Sequence, residues 1–167
     1  MRRSDSTEPI TYPFGGSTWK AQTFDPESEH GKALERLFEA SDRLGEEGAN
    51  NVLLIQGYDA DGGICAHADD EGCMKRNEKG EVCPIVSFSY GAPARFRLTP
   101  IAPPPAGQRR KSEYVMLNGG DALVMLGGAQ ERYNHGIPKG GIMPLSEQPR
   151  PWMQGASRVS LTFRQQL

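Results

Sequence analysis

The chain has 167 residues, a net charge of -2 and 37% hydrophobic content, with a pI of about 5.9 and a mean hydropathy of -0.58. No apolar run reaches the roughly 20 residues that a bilayer requires, and the polar start Met1-Arg2-Arg3-Ser4-Asp5 lacks the apolar region of a signal peptide. The charge also weighs against a protein that grips long duplex nucleic acid by neutralising many phosphates, and the length fits one domain over residues 1–167 with a core of its own.

Residues 1–9 are polar and are expected to be disordered. Ile10 to Lys20 reads as a short strand and turn, punctuated by Gly15-Gly16. Asp25-Pro26 sets an N-cap residue before a proline at the first helical position. Leu34, Leu37, Phe38 and Ser41 then recur at helical spacing until Leu44 and Gly45. From residue 51 the pattern changes to short strands between turns rich in Gly, Asp, Asn and Pro. The expected strands are 51–58, 64–67, 85–90, 94–98, 114–117, 121–125 and 159–163, the spacing of an all-β sandwich or barrel. Residues 99–112 read as a long hairpin tip. The proline-rich stretch 136–157, with Trp152, reads as structureless, a kind of loop that is usually functional or mobile.

Two parts of the pattern carry chemistry. His67 and Asp69 are two apart, which on a β-strand points both side chains to one face. With His135 they form two histidines and one carboxylate, the facial triad that holds non-haem Fe(II) with open coordination positions. In the last strand Val159, Leu161 and Phe163 share one face, and Arg158, Ser160, Thr162 and Arg164 the other. Both arginines look into the same space, where planar guanidinium forks suit a short dicarboxylate. Taken singly, His67 and Asp69 also fit a polar surface loop, and the arginines an edge strand, since charged residues are mostly exposed.

Cys65, His67, Cys73 and Cys83 are the alternative metal set, but their spacing matches no paired Cys-x2-Cys zinc pattern. Three irregularly spaced cysteines point away from a disulfide framework and toward a reducing compartment, cytoplasmic or nuclear. Arg95, Arg97, Arg109, Arg110 and Lys111 form a basic cluster with two readings: a solvated hairpin face, or a contact for phosphates.

In their order, His67-Ala68-Asp69, the segment from Gly127 that ends in His135-Gly136-Ile137-Pro138, and Arg158-Val159-Ser160-Leu161-Thr162-Phe163-Arg164 resemble the AlkB family of Fe(II)/2-oxoglutarate dioxygenases. Residues 84–91 and 120–125 resemble strands of that family, and the likeness runs from about Ile10 to Leu167. The resemblance implies a mainly β double-stranded β-helix, or jelly roll, with the N-terminal helix covering one outer face. It implies Fe(II) held by His67, Asp69 and His135, with 2-oxoglutarate and O2 as cosubstrates. Arg158 would form a salt bridge with the distal carboxylate of 2-oxoglutarate, Tyr58 would hydrogen-bond it, and Arg164 would sit nearer the metal. Gln56 and Ser160 stand where the family usually has asparagines, and they keep polar capacity with a changed reach.

The reaction implied is oxidative decarboxylation of 2-oxoglutarate to succinate and CO2, coupled to hydroxylation of a C–H bond. At an N-methyl group the product collapses to formaldehyde and a free amine. Glu71, with Asp70 beside it, would read the exocyclic amine of a flipped base, or else form a solvated acidic turn. Relatives that repair nucleic acid usually carry a longer N-terminal segment that supplies an aromatic lid; Tyr12, Phe14 and Trp19 would provide a reduced one. Three substrate readings stay open for what is expected to be a monomer. One is alkylated bases in DNA or RNA, met through Arg95, Arg109 and Arg110. The second is the same chemistry on a free nucleoside, small metabolite or protein side chain. The third is non-catalytic binding on the same fold.

Overall fold

Alternating residues build two four-stranded antiparallel sheets. The computed structural model describes residues 11–14, 17–45, 50–144, 153 and 156–167. A hairpin, β1 (Thr11–Phe14) and β2 (Ser17–Lys20), leads to the helix α1 (Glu29–Gly45). Then follow β3 (Val52–Tyr58), β4 (Ile64–His67), β5 (Ile85–Gly91), β6 (Ala94–Pro100), β7 (Glu113–Leu117), β8 (Ala122–Met125), the single turn α2 (Ala129–Arg132), β9 (Tyr133–Ile137) and β10 (Arg158–Arg164). One sheet runs β3-β10-β5-β8 and the other β4-β9-β6-β7. Strands distant in sequence are neighbours in both sheets, as in a jelly roll.

β10 lies between β3 and β5, with Ser160 opposite Gln56 and Ser89, and Thr162 opposite Leu54 and Ser87. Its alternation divides the molecule. Phe163 and Leu161 face outward and join Leu53, Val86 and Phe88 under Phe38, Leu34 and Leu37 of α1. Phe163 meets the Phe38 ring edge-on at 4.9 Å, a geometry worth about 0.5–1.5 kcal/mol beyond burial. Arg158, Ser160, Thr162 and Arg164 face the space between the sheets. The second apolar cluster packs there, with Ile85, Phe96, Leu117, Met125 and Ile137 among its members.

Each expected strand from residue 51 onward is present, with ends shifted by two residues at most. Three details differ. First, Asp25 does not cap the helix, because α1 begins at Glu29. Asp25 instead closes a turn in which its carbonyl accepts from the Ser28 N–H at 3.2 Å and its carboxylate from the Glu27 N–H at 3.0 Å. Ser28 Oγ takes the capping role, accepting from the Gly31 N–H at 3.0 Å. A Cβ at residue 31 would lie 1.8 Å from the Asp25 carbonyl oxygen, so this entry to the helix requires glycine.

Second, β9 is a strand that its own residues do not announce. Tyr133-Asn134-His135-Gly136-Ile137 mixes depleted residue types into a short run, and pairing with β4 on one side and β6 on the other holds it extended. It takes the first two residues of the stretch 136–157. Third, β6 continues to Pro100, which shortens the hairpin tip. Residues 1–10, Gly15-Gly16 and Trp152 lie outside the described residues, as do the side chains of Tyr12 and Phe14. Among the described residues no helix is long and apolar enough to cross a membrane.

Candidate active site

β4 and β9 pair antiparallel with His67 directly opposite His135, and their ring centroids are 4.4 Å apart. Gly136 makes this approach possible: a Cβ there would lie 2.6 Å from the Ile64 carbonyl oxygen and 2.9 Å from that of Cys65. His67 Nδ1 lies 2.8 Å from the Cys65 carbonyl oxygen. In the tautomer that donates there, Nε2 is left as a lone-pair donor for a metal. Asp69 departs from the alternation argument. β4 ends at His67, so Asp69 sits in the following loop and is not aimed by the strand pleat. Its carboxylate converges on the histidines all the same. Oδ1 is 3.6 Å from His67 Nε2 and 3.0 Å from Arg164 Nη2. Oδ2 is 3.6 Å from His135 Nε2. One ligand atom from each of the three residues lies within 4.8 Å of the others.

Asp69 and His135 are buried, and His67 is half-buried. Both Asp69 carboxylate oxygens accept no aligned hydrogen bond, and the close approach of Arg164 is a charge contact. Arg164 meets one side of this buried carboxylate, and oxygens without aligned hydrogen bonds keep lone pairs for a second cation. Burial pushes the His135 pKa down to about 4, opposed by Asp69 and assisted by His67 and Arg164. Phe96 stacks on the same ring, with centroids 5.5 Å apart. His135 is therefore a neutral imidazole near pH 7, the form a metal requires. Two imidazole nitrogens and one carboxylate fit Fe(II) by the chemistry of the donor set.

The lowered pKa has a measurable sign. Unfolded His135 binds a proton near pH 6.5 and folded His135 only near pH 4. The unfolded state therefore binds more protons between those values. Stability of the metal-free protein is expected to be full above pH 6.5 and to fall as pH drops toward 4. Thermal unfolding between pH 7.5 and 4.5 reads this, and His135→Asn should flatten the slope; an equal slope in the variant would refute it.

Arg158 is 1% exposed. Its Nη1 donates to the carbonyls of Ala92 at 2.9 Å and Leu117 at 3.2 Å, and its Nη2 to Ser89 Oγ at 2.6 Å. Its Nε has no partner, and no carboxylate lies within ion-pair distance among the described residues. Burial lowers its pKa, which Tyr58 and Asp121 partly offset. A buried guanidinium anchored by carbonyls and lacking a counter-ion is suited to pair with an anion. Tyr58 stands close by, its hydroxyl 3.2 Å from Gln56 Oε1. Burial raises the Tyr58 pKa, against a Ser160 hydrogen bond and the two arginines, so the hydroxyl stays protonated. Gln56, Tyr58, Arg158, Ser160 and Arg164 line the same cavity as His67, Asp69 and His135.

The other candidate residues lie elsewhere. Asp70 is exposed and Glu71 half-buried, and neither lines the cavity. Trp19 is 62% exposed and borders a groove beside β3 that reaches Gln56 and Arg164. The Arg95 guanidinium lies 4.6 Å from the Tyr114 ring centroid. Arg109, Arg110 and Lys111 are exposed between β6 and β7, with Arg110 Nη2 donating to the Ile101 carbonyl at 3.1 Å. Cys65, Cys73 and Cys83 do not join the metal-ligating group. Sequence reasoning missed Ser89, Phe96 and Gln130. The alternation of Ser87 and Ser89 with Val86 and Phe88 could have revealed Ser89, whereas nothing local marks Gln130.

Comparison with known proteins agrees with this geometry. The family model of the 2OG-Fe(II) oxygenase superfamily matches residues 6–164. A solved structure of OsALKBH1 aligns with a TM-score of 0.55 at 24% identity, over 93% of this chain and 71% of its own. That likeness is one of fold. No curated protein matches the chain.

Proposed function

This chain belongs to the 2OG-Fe(II) oxygenase superfamily, and on that premise we propose that it oxidatively demethylates alkylated bases in DNA or RNA. Fe(II), 2-oxoglutarate and O2 supply the family's oxidising chemistry. In our reading His67, Asp69 and His135 would hold the iron. Arg158 binds the distal carboxylate of 2-oxoglutarate, and the Tyr58 hydroxyl donates to it. Arg164, its Nη2 3.0 Å from Asp69 Oδ1, orients the carboxylate. Phe96, Leu123, Met125 and Ile137 line the cavity and keep water from it. The observation that carries the cosubstrate assignment is the buried, anchored Arg158 without a counter-ion.

Two features support a polymeric substrate. Arg95 and Arg97 stand opposite Met116 and Tyr114, and Arg109, Arg110 and Lys111 are exposed in the connection from β6 to β7, cationic groups and an aromatic ring suited to phosphates and unpaired bases. The groove bordered by Trp19 shares Arg164 and Gln56 with the lining of the cavity, a neighbourhood that suits a base turned out of its strand.

The test measures formaldehyde and succinate released from methylated single strands, duplexes and free nucleosides. Strands should be preferred, and their binding should weaken with salt by about one logarithmic unit per contact and per decade of salt. Replacing Arg109 and Arg110 by alanine should flatten that slope for all sequences alike. Equal activity on nucleosides, or a salt-independent activity on strands, would shift the assignment to a small-molecule substrate, a reading that the net charge of -2 favours.

A further inference from the structure

We infer that Gln130 is a positioning residue for the metal centre: its side-chain amide fixes the main chain of Asp69 and thereby sets where that carboxylate meets the two histidines. The inference rests on reading His67, Asp69 and His135 as the iron ligands.

Asp69 is the one member of the triad that no strand holds. β4 ends two residues earlier, so its N–H has no ladder partner. That N–H donates instead to Gln130 Oε1 at 2.9 Å, across 61 residues of sequence, with both groups buried. The other end of the amide donates to Met125 Sδ at 3.5 Å. Sulfur is a weak acceptor, so this second contact chiefly orients the amide, with its carbonyl turned to Asp69.

The position of Gln130 in the chain adds to the argument. It lies in α2, the single turn that runs directly into β9 and His135. One short piece of backbone therefore carries one ligand and pins another. Its neighbour Glu131 adds a second tie to the segment that follows Asp69. Glu131 Oε1 accepts from the Val82 N–H at 3.0 Å and pairs with Arg76 Nη1 at 2.8 Å. Groups that orient a ligand commonly shift metal affinity by roughly 10–100-fold when removed.

The experiment titrates the metal-free protein with Co(II), whose visible absorption bands report coordination geometry, and records thermal unfolding without metal. Gln130→Met keeps the length of the side chain and loses the acceptor. It should bind Co(II) about 10–100-fold more weakly than wild type, with altered bands. Gln130→Glu retains an acceptor oxygen and should recover most of the affinity and the wild-type bands. A Gln130→Met protein of lowered thermal midpoint that binds Co(II) with wild-type affinity and spectrum would reduce Gln130 to a structural residue and overturn the inference. Should Gln130→Met fail to fold, Gln130→Asn keeps the amide one methylene short of Asp69, and the same two outcomes decide. Wild-type protein that binds no Co(II) would overturn the reading of the metal site itself, an outcome separate from equal binding by wild type and variant.

Discussion

Asp69→Asn is expected to reduce 2-oxoglutarate turnover by on the order of a thousandfold, about 4 kcal/mol of barrier, while the protein stays folded. The substitution preserves volume and leaves the main-chain hydrogen bond to Gln130 intact. It removes the anion that stands 3.6 Å from each histidine Nε2. A neutral amide is a poorer ligand for a divalent cation and leaves the Arg164 guanidinium, 3.0 Å away, facing the metal without the intervening negative charge. Fe(II)-dependent succinate release measures the effect, with circular dichroism and Co(II) titration alongside. Turnover within about tenfold of wild type, in a protein that still binds Co(II), would remove Asp69 from the ligand set.

Arg158→Lys is expected to raise the KM for 2-oxoglutarate by roughly 10–100-fold, the loss of a charge-assisted hydrogen bond worth about 1.5–3 kcal/mol. The substitution keeps the charge, so Coulomb attraction alone predicts little change. The geometry predicts otherwise. Arg158 spends three N–H groups on Ala92, Leu117 and Ser89, and these bonds hold the guanidinium plane in place. Its unpartnered Nε remains for a carboxylate. An ammonium offers three donors in all and no plane, so it cannot satisfy those oxygens and an incoming anion together. Stabilisation of the fold by 2-oxoglutarate should fall in parallel, since bound ligand raises the unfolding midpoint in proportion to its affinity. Equal affinity in wild type and variant would refute the assignment.

The cost of Arg158 in the free protein follows from the same geometry. A buried cation without a counter-ion opposes folding, and three hydrogen bonds to oxygens offset part of that. In the proposed function a dicarboxylate would supply the missing charge, and its binding would recover that cost.

Much of the architecture was legible in the chain. The alternation in β10 set Val159, Leu161 and Phe163 on one face and Arg158, Ser160, Thr162 and Arg164 on a polar one turned to the interior, because period-two patterning and burial answer to the same pleat; that α1 covers Leu161 and Phe163 came from the structure. The apolar spacing of Leu34, Leu37 and Phe38 marked α1, since a helix that covers a sheet must bury one stripe. Its first turn was less legible. Asp25-Pro26 carries the residue types of a helix start, yet Ser28 performs the capping, because cap identity depends on where the backbone turns.

The sequence by itself determined which residue types converge: two histidines, a carboxylate and two arginines on one polar face, in an order that resembles a dioxygenase. Local chemistry and strand parity suffice for that, since both are properties of neighbouring residues. Only the tertiary structure decided how they converge. β9 is extended because β4 and β6 pair with it, and His67 faces His135 because Gly136 lets two backbones meet. Asp69 is held by an amide 61 residues away, and Arg158 is anchored by carbonyls from two other segments. Each of these depends on contacts between segments far apart in sequence. Such contacts form only when the sheets close and bury their apolar faces, a driving force that acts on the whole chain and leaves no mark on the local run of residues.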